Sequence, residues 1–549
     1  MAAVGAVVVG LLAGCTPPGL PAPIDPGSAT GTVGSTVRSG PTTTAGPAAA
    51  AMVVGVDGTP TGFNPYEIAD YSPAARAVAG LVLPMVSSTG PDGVTSFNPE
   101  LIPTAAVTSD DPFTVTYQLH RSAAWSDGTP ITAEDFAYLA DQLKTAPGTV
   151  DPAGYRAITG VGSKDAGKTV VITFSQRIAD WRQLFPYLLP AHILKDLPGG
   201  FTAGFAAGLP VSGNRYKMEG FDTTTGEITL VRNDKYWGGQ PGLATLVLRI
   251  GQPSELLEAL GRGDLQAAWL RPDAKAAAAL DRQVQGADRV RLPLPGTFQL
   301  IANAAAGPLA EPGVRRGVFA GLDHGAVADR LAGGWDAGIL TGEPFGAGGD
   351  SWPAADPQAL ARQLTAAGYG RVGAYYDRSG QVLRLTLGYP AGSTEIAAAA
   401  TQVQRQLGEL GVEVDLVRLD SRTLTARVAA GQVDLALLFV PRGPSDALAA
   451  AAAYTCPAAP TADVPDPLRT GNLSGYCDAG TDTGLAAALS GGSLRDVLAG
   501  VAPAAPATGL GQPLSVWVTT PAWTKAVGAG MPLGMFTSPL DELGVNSPR

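Results

Sequence analysis

Between Leu383 and Phe439 the chain alternates strand-like and helix-like patterning that few folds accommodate. Leu383–Tyr389 reads as a strand. Thr394–Leu410 reads as a helix, because Ile396, Val403, Leu407 and Leu410 recur at three- and four-residue spacing. Gly411 fits a C-terminal cap, and Val412–Leu416 reads as a second strand, giving a strand–helix–strand unit. A helical stretch at Ser421–Ala430 and a buried strand at Val433–Phe439 follow. Such alternation predicts an α/β fold with a parallel sheet covered by helices. Ligands of these sheets sit beyond the C-terminal ends of the strands, which singles out the loop Val440-Pro441-Arg442-Gly443-Pro444-Ser445-Asp446.

Other extended runs lie at Met52–Val56, Thr114–Leu119, Val170–Phe174, Ile228–Arg232 and Leu246–Ile250. Helical patterns cover Ala133–Thr145, with Thr132 as its N-cap, and Ser254–Arg262. With 549 residues and 45% apolar content, the chain can bury large cores and has length for two to four domains. Its net charge is −11 and no Lys/Arg run occurs, which disfavours a nucleic-acid partner. Three His and three Cys make a His/Cys-rich metal site an unlikely design, and no cofactor is expected.

One enzyme-like motif fails on context. Gly162-Ser-Lys-Asp-Ala-Gly-Lys168-Thr169 satisfies the phosphate-loop pattern GxxxxGK[ST]. That pattern works where a strand feeds a helix whose N-terminus cradles phosphate. Here the β-branched run Val170–Phe174 follows, so the segment reads as a hairpin turn. GxSxG, HExxH and GxGxxG patterns are absent, and His120, His192 and His324 are scattered. Nothing in the sequence argues for an enzyme.

Val4–Leu12 is a nine-residue apolar run, too short for a hydrocarbon core that takes about 20 residues to cross. With Ala13 and Gly14 before Cys15 it reads as an export leader with a lipobox, and Cys15 as the acylated residue. The first basic residue is Arg38, so the basic part of such a leader would lie upstream of Met1. Acyl chains on Cys15 would then anchor the chain to a membrane on its extracytoplasmic side. Residues 16–51 are rich in Pro, Gly, Ser, Thr and Ala, the composition of a disordered tether that spaces the next domain about 30–35 Å from its anchor. In an oxidising compartment Cys456 and Cys477 read as a disulfide, with two unpaired thiols as the alternative.

Trp125-Ser-Asp-Gly-Thr-Pro-Ile-Thr-Ala-Glu-Asp-Phe136 resembles the WSDGxPxTAxDF signature of extracellular solute-binding proteins of the oligopeptide/dipeptide/nickel class, family 5. Ser212-Gly-Asn-Arg-Tyr-Lys217 is similar to their SGPY segment, and Leu230-Val-Arg-Asn-Asp-Lys-Tyr-Trp237 to LxRNPxYW. Pro308–Asp323 and the strand–helix–strand unit match further blocks in family order. The resemblance implies a two-lobed, periplasmic-binding-protein-like clamshell with an extra subdomain. Lobe one would take residues 52–84, 210–299 and 511–549, the subdomain 85–209, and lobe two 300–510. It implies a monomeric, non-catalytic binder.

The chain departs from the family where peptide binders carry a Trp and an acidic anchor after the buried strand. Phe439 and Pro441-Arg442 stand there, with Asp446 the one acid nearby. A cation in the crevice favours an anionic head group, and a solvated rim arginine is the alternative reading. Asn64, Tyr66 and Trp269 are further cleft candidates by loop position in the family, although Tyr66 and Trp269 can equally be core aromatics. The tether and the eroded anchor resemble a lipoprotein branch tied to phosphatidylinositol mannoside and lipoarabinomannan synthesis. That likeness implies a mannosylated phosphatidylinositol as ligand and a membrane mannosyltransferase as partner. The alternative is the receptor of an ABC importer for oligopeptides or another small solute.

Overall fold

The protein is described by a computed structural model over residues 51–284, 286–335, 338–341, 345, 352, 354–458, 469–527 and 540. Cys15 and most of the tether lie outside the described residues. No helix among those described is long and apolar enough to cross a membrane.

A curled sheet of twelve strands among the described residues organises the chain. Its strands are β1 (Met52–Val56), β2 (Tyr216–Asp222), β3 (Glu227–Arg232), β4 (Thr245–Ile250), β5 (Ala267–Leu270) and β6 (Asp288–Pro293). They continue with β7 (Gly296–Ala302), β8 (Ile339–Leu340), β9 (Arg384–Pro390), β10 (Glu413–Leu419), β11 (Leu435–Pro441) and β12 (Ala507–Thr519). The order is β10-β9-β11-β7-β12-β5-β1-β4-β3-β2, with β6 and β8 also paired to β12.

The expected strand–helix–strand unit is β9, helix α1 (Thr394–Glu409) and β10, with β9 parallel to both β10 and β11. Beyond β11 the expected parallel pattern gives way: β7 runs antiparallel to both β11 and β12. The 13-residue β12 pairs β7 at its first residues and β5 and β6 at its last. It therefore joins the β10-β9-β11-β7 half of the sheet to the β5-β1-β4-β3-β2 half.

A separate antiparallel sheet holds Thr104–Asp110, Phe113–Gln118, Thr169–Phe174 and Ile158–Lys164 in that order. The phosphate-loop look-alike is the hairpin between its last two strands, with Lys164 paired to Thr169. Lys168 Nζ donates to Ala123 O (2.7 Å) and Ile131 O (2.8 Å), so this cation is a structural clamp.

That clamp grips the Trp125–Phe136 segment. Gly128, at φ +102°, makes a turn in which its N–H meets Trp125 O at 2.9 Å. Thr132 and Asp135 then form a reciprocal capping box on the helix Ala133–Thr145. The other signature segments are ties of the same kind. Ser212 Oγ donates to Val82 O (2.9 Å), and Asn214 Nδ2 to Gly80 O (2.8 Å). Arg215 pairs with Glu100 (2.7 Å), which also accepts from Tyr236 OH (2.6 Å). These motifs tie the fold together.

Cys456 and Cys477 are joined in a disulfide 21 positions apart. Closing a loop of this size restricts the unfolded chain, so replacing both by serine is expected to lower stability by about 3 kcal/mol. Thermal unfolding of oxidised wild type against the double variant checks this; an unchanged midpoint would refute it.

Candidate functional site

The loop after β11 borders a cavity of about 980 Å³, counting the part of its mouth open to solvent. One wall comes from Pro441–Ser445 and Leu448; the facing walls come from Tyr66, Tyr71, Arg76, Ser87–Thr89, Asp151, Tyr155, Gln183, Leu184, Pro186 and Tyr187. A smaller adjoining space of about 410 Å³ shares Val150, Asp151, Pro441 and Arg442 with it.

The position of Arg442 follows from the sheet. Strand β11 ends at Pro441, and Arg442 N–H still reaches Pro295 O at 3.0 Å, which aims the next residues over the cavity. Ser445 caps the helix α2 (Asp446–Tyr454), accepting Leu448 N–H at 3.1 Å and donating to Asp180 at 2.5 Å. Arg442 ion-pairs with Asp446 one helical turn on, so that acid steadies the guanidinium. Asp446 is not itself among the lining residues.

Asp151 is the acidic residue of the lining. Its carboxylate accepts the Gly443 N–H, which ties the far wall to the β11 loop. Burial pushes its pKa up to about 6, against the lowering effects of that hydrogen bond and of Arg442. The Gly443 hydrogen bond leaves it already engaged.

Four tyrosines give the cavity flat apolar surface with polar tips. Tyr66 OH donates to Tyr187 O (2.5 Å) and accepts Tyr187 N–H (3.1 Å). Tyr155 OH accepts Phe185 N–H at 2.7 Å. The Tyr71 ring lies 4.8 Å from that of Phe439, and burial pushes its hydroxyl up to about 12. Among the described residues no protein group hydrogen-bonds Tyr71 OH or Gln183 Oε1, although both atoms are buried. Buried polar atoms are normally paired, which sets these two apart in the lining.

The six residues picked from sequence thus divide. Arg442 and Tyr66 line the cavity; Phe439 backs it through Tyr71, and Asp446 holds Arg442. Asn64 is buried in a turn, donating to Phe201 O (2.7 Å) and accepting Tyr66 N–H (3.0 Å). Trp269 sits in fully buried β5, its Nε1 on Ser515 Oγ at 2.8 Å, away from the cavity. A strand paired on both sides and covered on both faces has no side chain left for a cleft. Tyr71, Arg76, Asp151, Tyr155, Gln183 and Tyr187 were not legible. Arg76 stands on the helix Pro73–Val82 and Tyr155 on the short helix Ala153–Arg156, the others come from loops and short turns, and the one local signal among them is the positive φ of Asp151 (46°).

A sequence model of "Bacterial extracellular solute-binding proteins, family 5 Middle" matches residues 96–458. The chain is 32% identical to "Probable monoacyl phosphatidylinositol tetramannoside-binding protein LpqW" of Mycobacterium tuberculosis (strain CDC 1551 / Oshkosh), over 90% of this chain and 89% of that protein. It is 29% identical to "Oligopeptide-binding protein OppA" of Mycobacterium bovis, over 65% of this chain and 62% of that protein. The oligopeptide-binding protein AppA from Bacillus subtilis, solved with a nonapeptide, superposes with a TM-score of 0.71 over 90% of this chain and 98% of that one. At 16% identity this last likeness speaks for the fold alone.

Proposed function

The chain belongs to the bacterial extracellular solute-binding proteins of family 5, and from that premise we propose that its cavity holds the head group of a mannosylated phosphatidylinositol. The observation that carries this reading is the charge arrangement of the lining. Two guanidiniums, Arg76 and the Asp446-paired Arg442, line the cavity with one carboxylate, Asp151, and that carboxylate is taken up by Gly443 N–H. An anionic phosphate suits such a wall, and the tyrosine faces and hydroxyl-bearing Ser87–Thr89 suit sugar rings. Peptide capture needs an acid available to a ligand amine, and this one is spent within the protein.

In this reading the protein is non-catalytic. Acylated at Cys15 and held by its tether outside the membrane, it would present or withhold the lipid for a membrane mannosyltransferase. A second reading, the receptor of an ABC importer for peptides, is favoured by the likeness to OppA and by the burial of Asp151 in the cavity. For it to hold, a ligand amine must displace Gly443 from Asp151.

Titrating the unlipidated full chain (Cys15→Ser) with phosphatidylinositol tetramannoside and with short peptides separates the two. The expected result is saturable binding of the glycolipid, weakened about tenfold by Arg442→Ala, which corresponds to about 1.4 kcal/mol. Tight peptide binding with no response to the glycolipid would refute the proposal. Unchanged glycolipid affinity in Arg442→Ala would remove that residue from it.

A further inference from the structure

A second contact between the two halves of the sheet is made beside the cavity, at the turn between its lining residues Tyr66 and Tyr71. Helix α3 (Ser421–Ala429), which connects β10 to β11, packs on the turn Ile68–Asp70 that follows β1. We call it the latch helix. Its Arg422 pairs with Asp70 Oδ1 at 2.6 Å and also donates to Thr202 O. The Asp70 side chain is 1% exposed, and its other oxygen accepts Asn64 N–H at 3.2 Å. Glu67, 4% exposed, occupies the same turn, and its Oε1 is buried with no hydrogen-bonding partner.

Two buried carboxyls therefore share one guanidinium, whose ion pair goes to Asp70 and whose other hydrogen bond goes to Thr202 O. An ionised carboxylate is costly to bury without a partner, so the second carboxyl must be neutral when the latch helix is seated. We propose that seating the latch helix on the Glu67–Asp70 turn takes up a proton on Glu67, so that closure of the two halves is pH-dependent. The inference rests on the reading above only in that a ligand enters where the halves part.

The charges bearing on Glu67 support the assignment. Burial, aided by Asp70 from its own turn and opposed by Arg422 from the latch helix, pushes Glu67 up to about 9. Burial pushes Asp70 to about 6, opposed by Arg422 and by the Asn64 hydrogen bond. The other charged groups of the latch helix, Asp420 at its N-cap and Arg427, are exposed. Across the Glu67–Thr149 bridge, the nearest acid is Asp151, which is bound to Gly443.

The sign follows from linkage. A carboxyl with a higher pKa when sealed makes the closed form bind more protons, so acid favours closure and rising pH opposes it. Between the ordinary value of 4.5 and about 9, Glu67 alone would weaken closure by up to tenfold per pH unit.

Pulsed electron spin resonance on the ligand-free full chain, with non-cysteine spin labels at Lys217 and Glu409, reads the population with the two halves apposed. That population is expected to fall from pH 6.5 to 9 in wild type, and Glu67→Gln, neutral throughout, is expected to flatten the dependence. Infrared spectroscopy at pH 7.5 gives an independent reading: a neutral carboxyl band in wild type that Glu67→Gln diminishes. A pH-independent distance, the same pH dependence in Glu67→Gln, or no neutral carboxyl band in wild type would each overturn the proposal. None of these outcomes bears on which ligand fills the cavity, since no ligand is present in either measurement.

Discussion

Replacing Trp125 by alanine is expected to cost about 3–5 kcal/mol of stability. Trp125 is 0% exposed and heads the largest fully buried side chains. Its backbone N–H meets Thr129 O at 2.8 Å, which closes the turn before the capped helix Ala133–Thr145. The indole also neighbours the His192 ring, 6.1 Å away, and His192 in turn holds Asp127 of the same turn at 2.8 Å. An alanine would leave a cavity beneath a turn and a helix start that both depend on the indole. Trp125→Phe should recover about half of the loss, because much of the volume returns. Urea unfolding followed by far-UV circular dichroism measures both; a loss under about 1 kcal/mol in the alanine variant would show that the site collapses without penalty.

Arg469→Ala should be comparably damaging, at about 3–5 kcal/mol, because it strips a donor from several buried acceptors at once. The residue is 8% exposed. Its Nη1 reaches Val428 O (3.4 Å) and Leu473 O (3.3 Å), and its Nη2 reaches Asn303 Oδ1 (3.1 Å). Two glycines in the left-handed region, Gly431 and Gly475, let backbone press against the guanidinium: a Cβ there would come within 2.8 and 2.6 Å of it. Arg469→Lys is expected to rescue little, since an ammonium cannot span three acceptors held by a planar fork. Recovery to near wild-type stability in the lysine variant would reduce the site to a single charge contact.

Much of the secondary structure was legible because its causes are local. The Thr132 cap, the helix Thr394–Glu409 and the strand Met52–Val56 each follow from spacing or capping within a few residues. The rejection of a phosphate loop was legible too, since a β-branched run cannot supply the helix N-terminus that phosphate needs. The β11 loop could be located because strand polarity fixes where a ligand crevice opens. The opposite wall could not. Gly443 meets Asp151 across 292 positions of sequence and Tyr66 meets Tyr187 across 121, and no periodicity encodes contacts that long. Trp269 shows the converse, a conspicuous aromatic whose burial on both faces of a central strand leaves it a packing role.

Strand β12 has a bearing on how the molecule comes into being. It begins at Ala507, yet it lies in mid-sheet between β7 and β5. Until it emerges, each half has an unpaired edge where its neighbour should be, so neither half of the sheet can be completed early in synthesis. Pairings this distant in sequence are slow to form, and they keep the nascent chain open until β12 is made. Loss of β12 would therefore leave two incomplete sheets with sticky inner edges, a product prone to aggregate instead of a shortened but working protein.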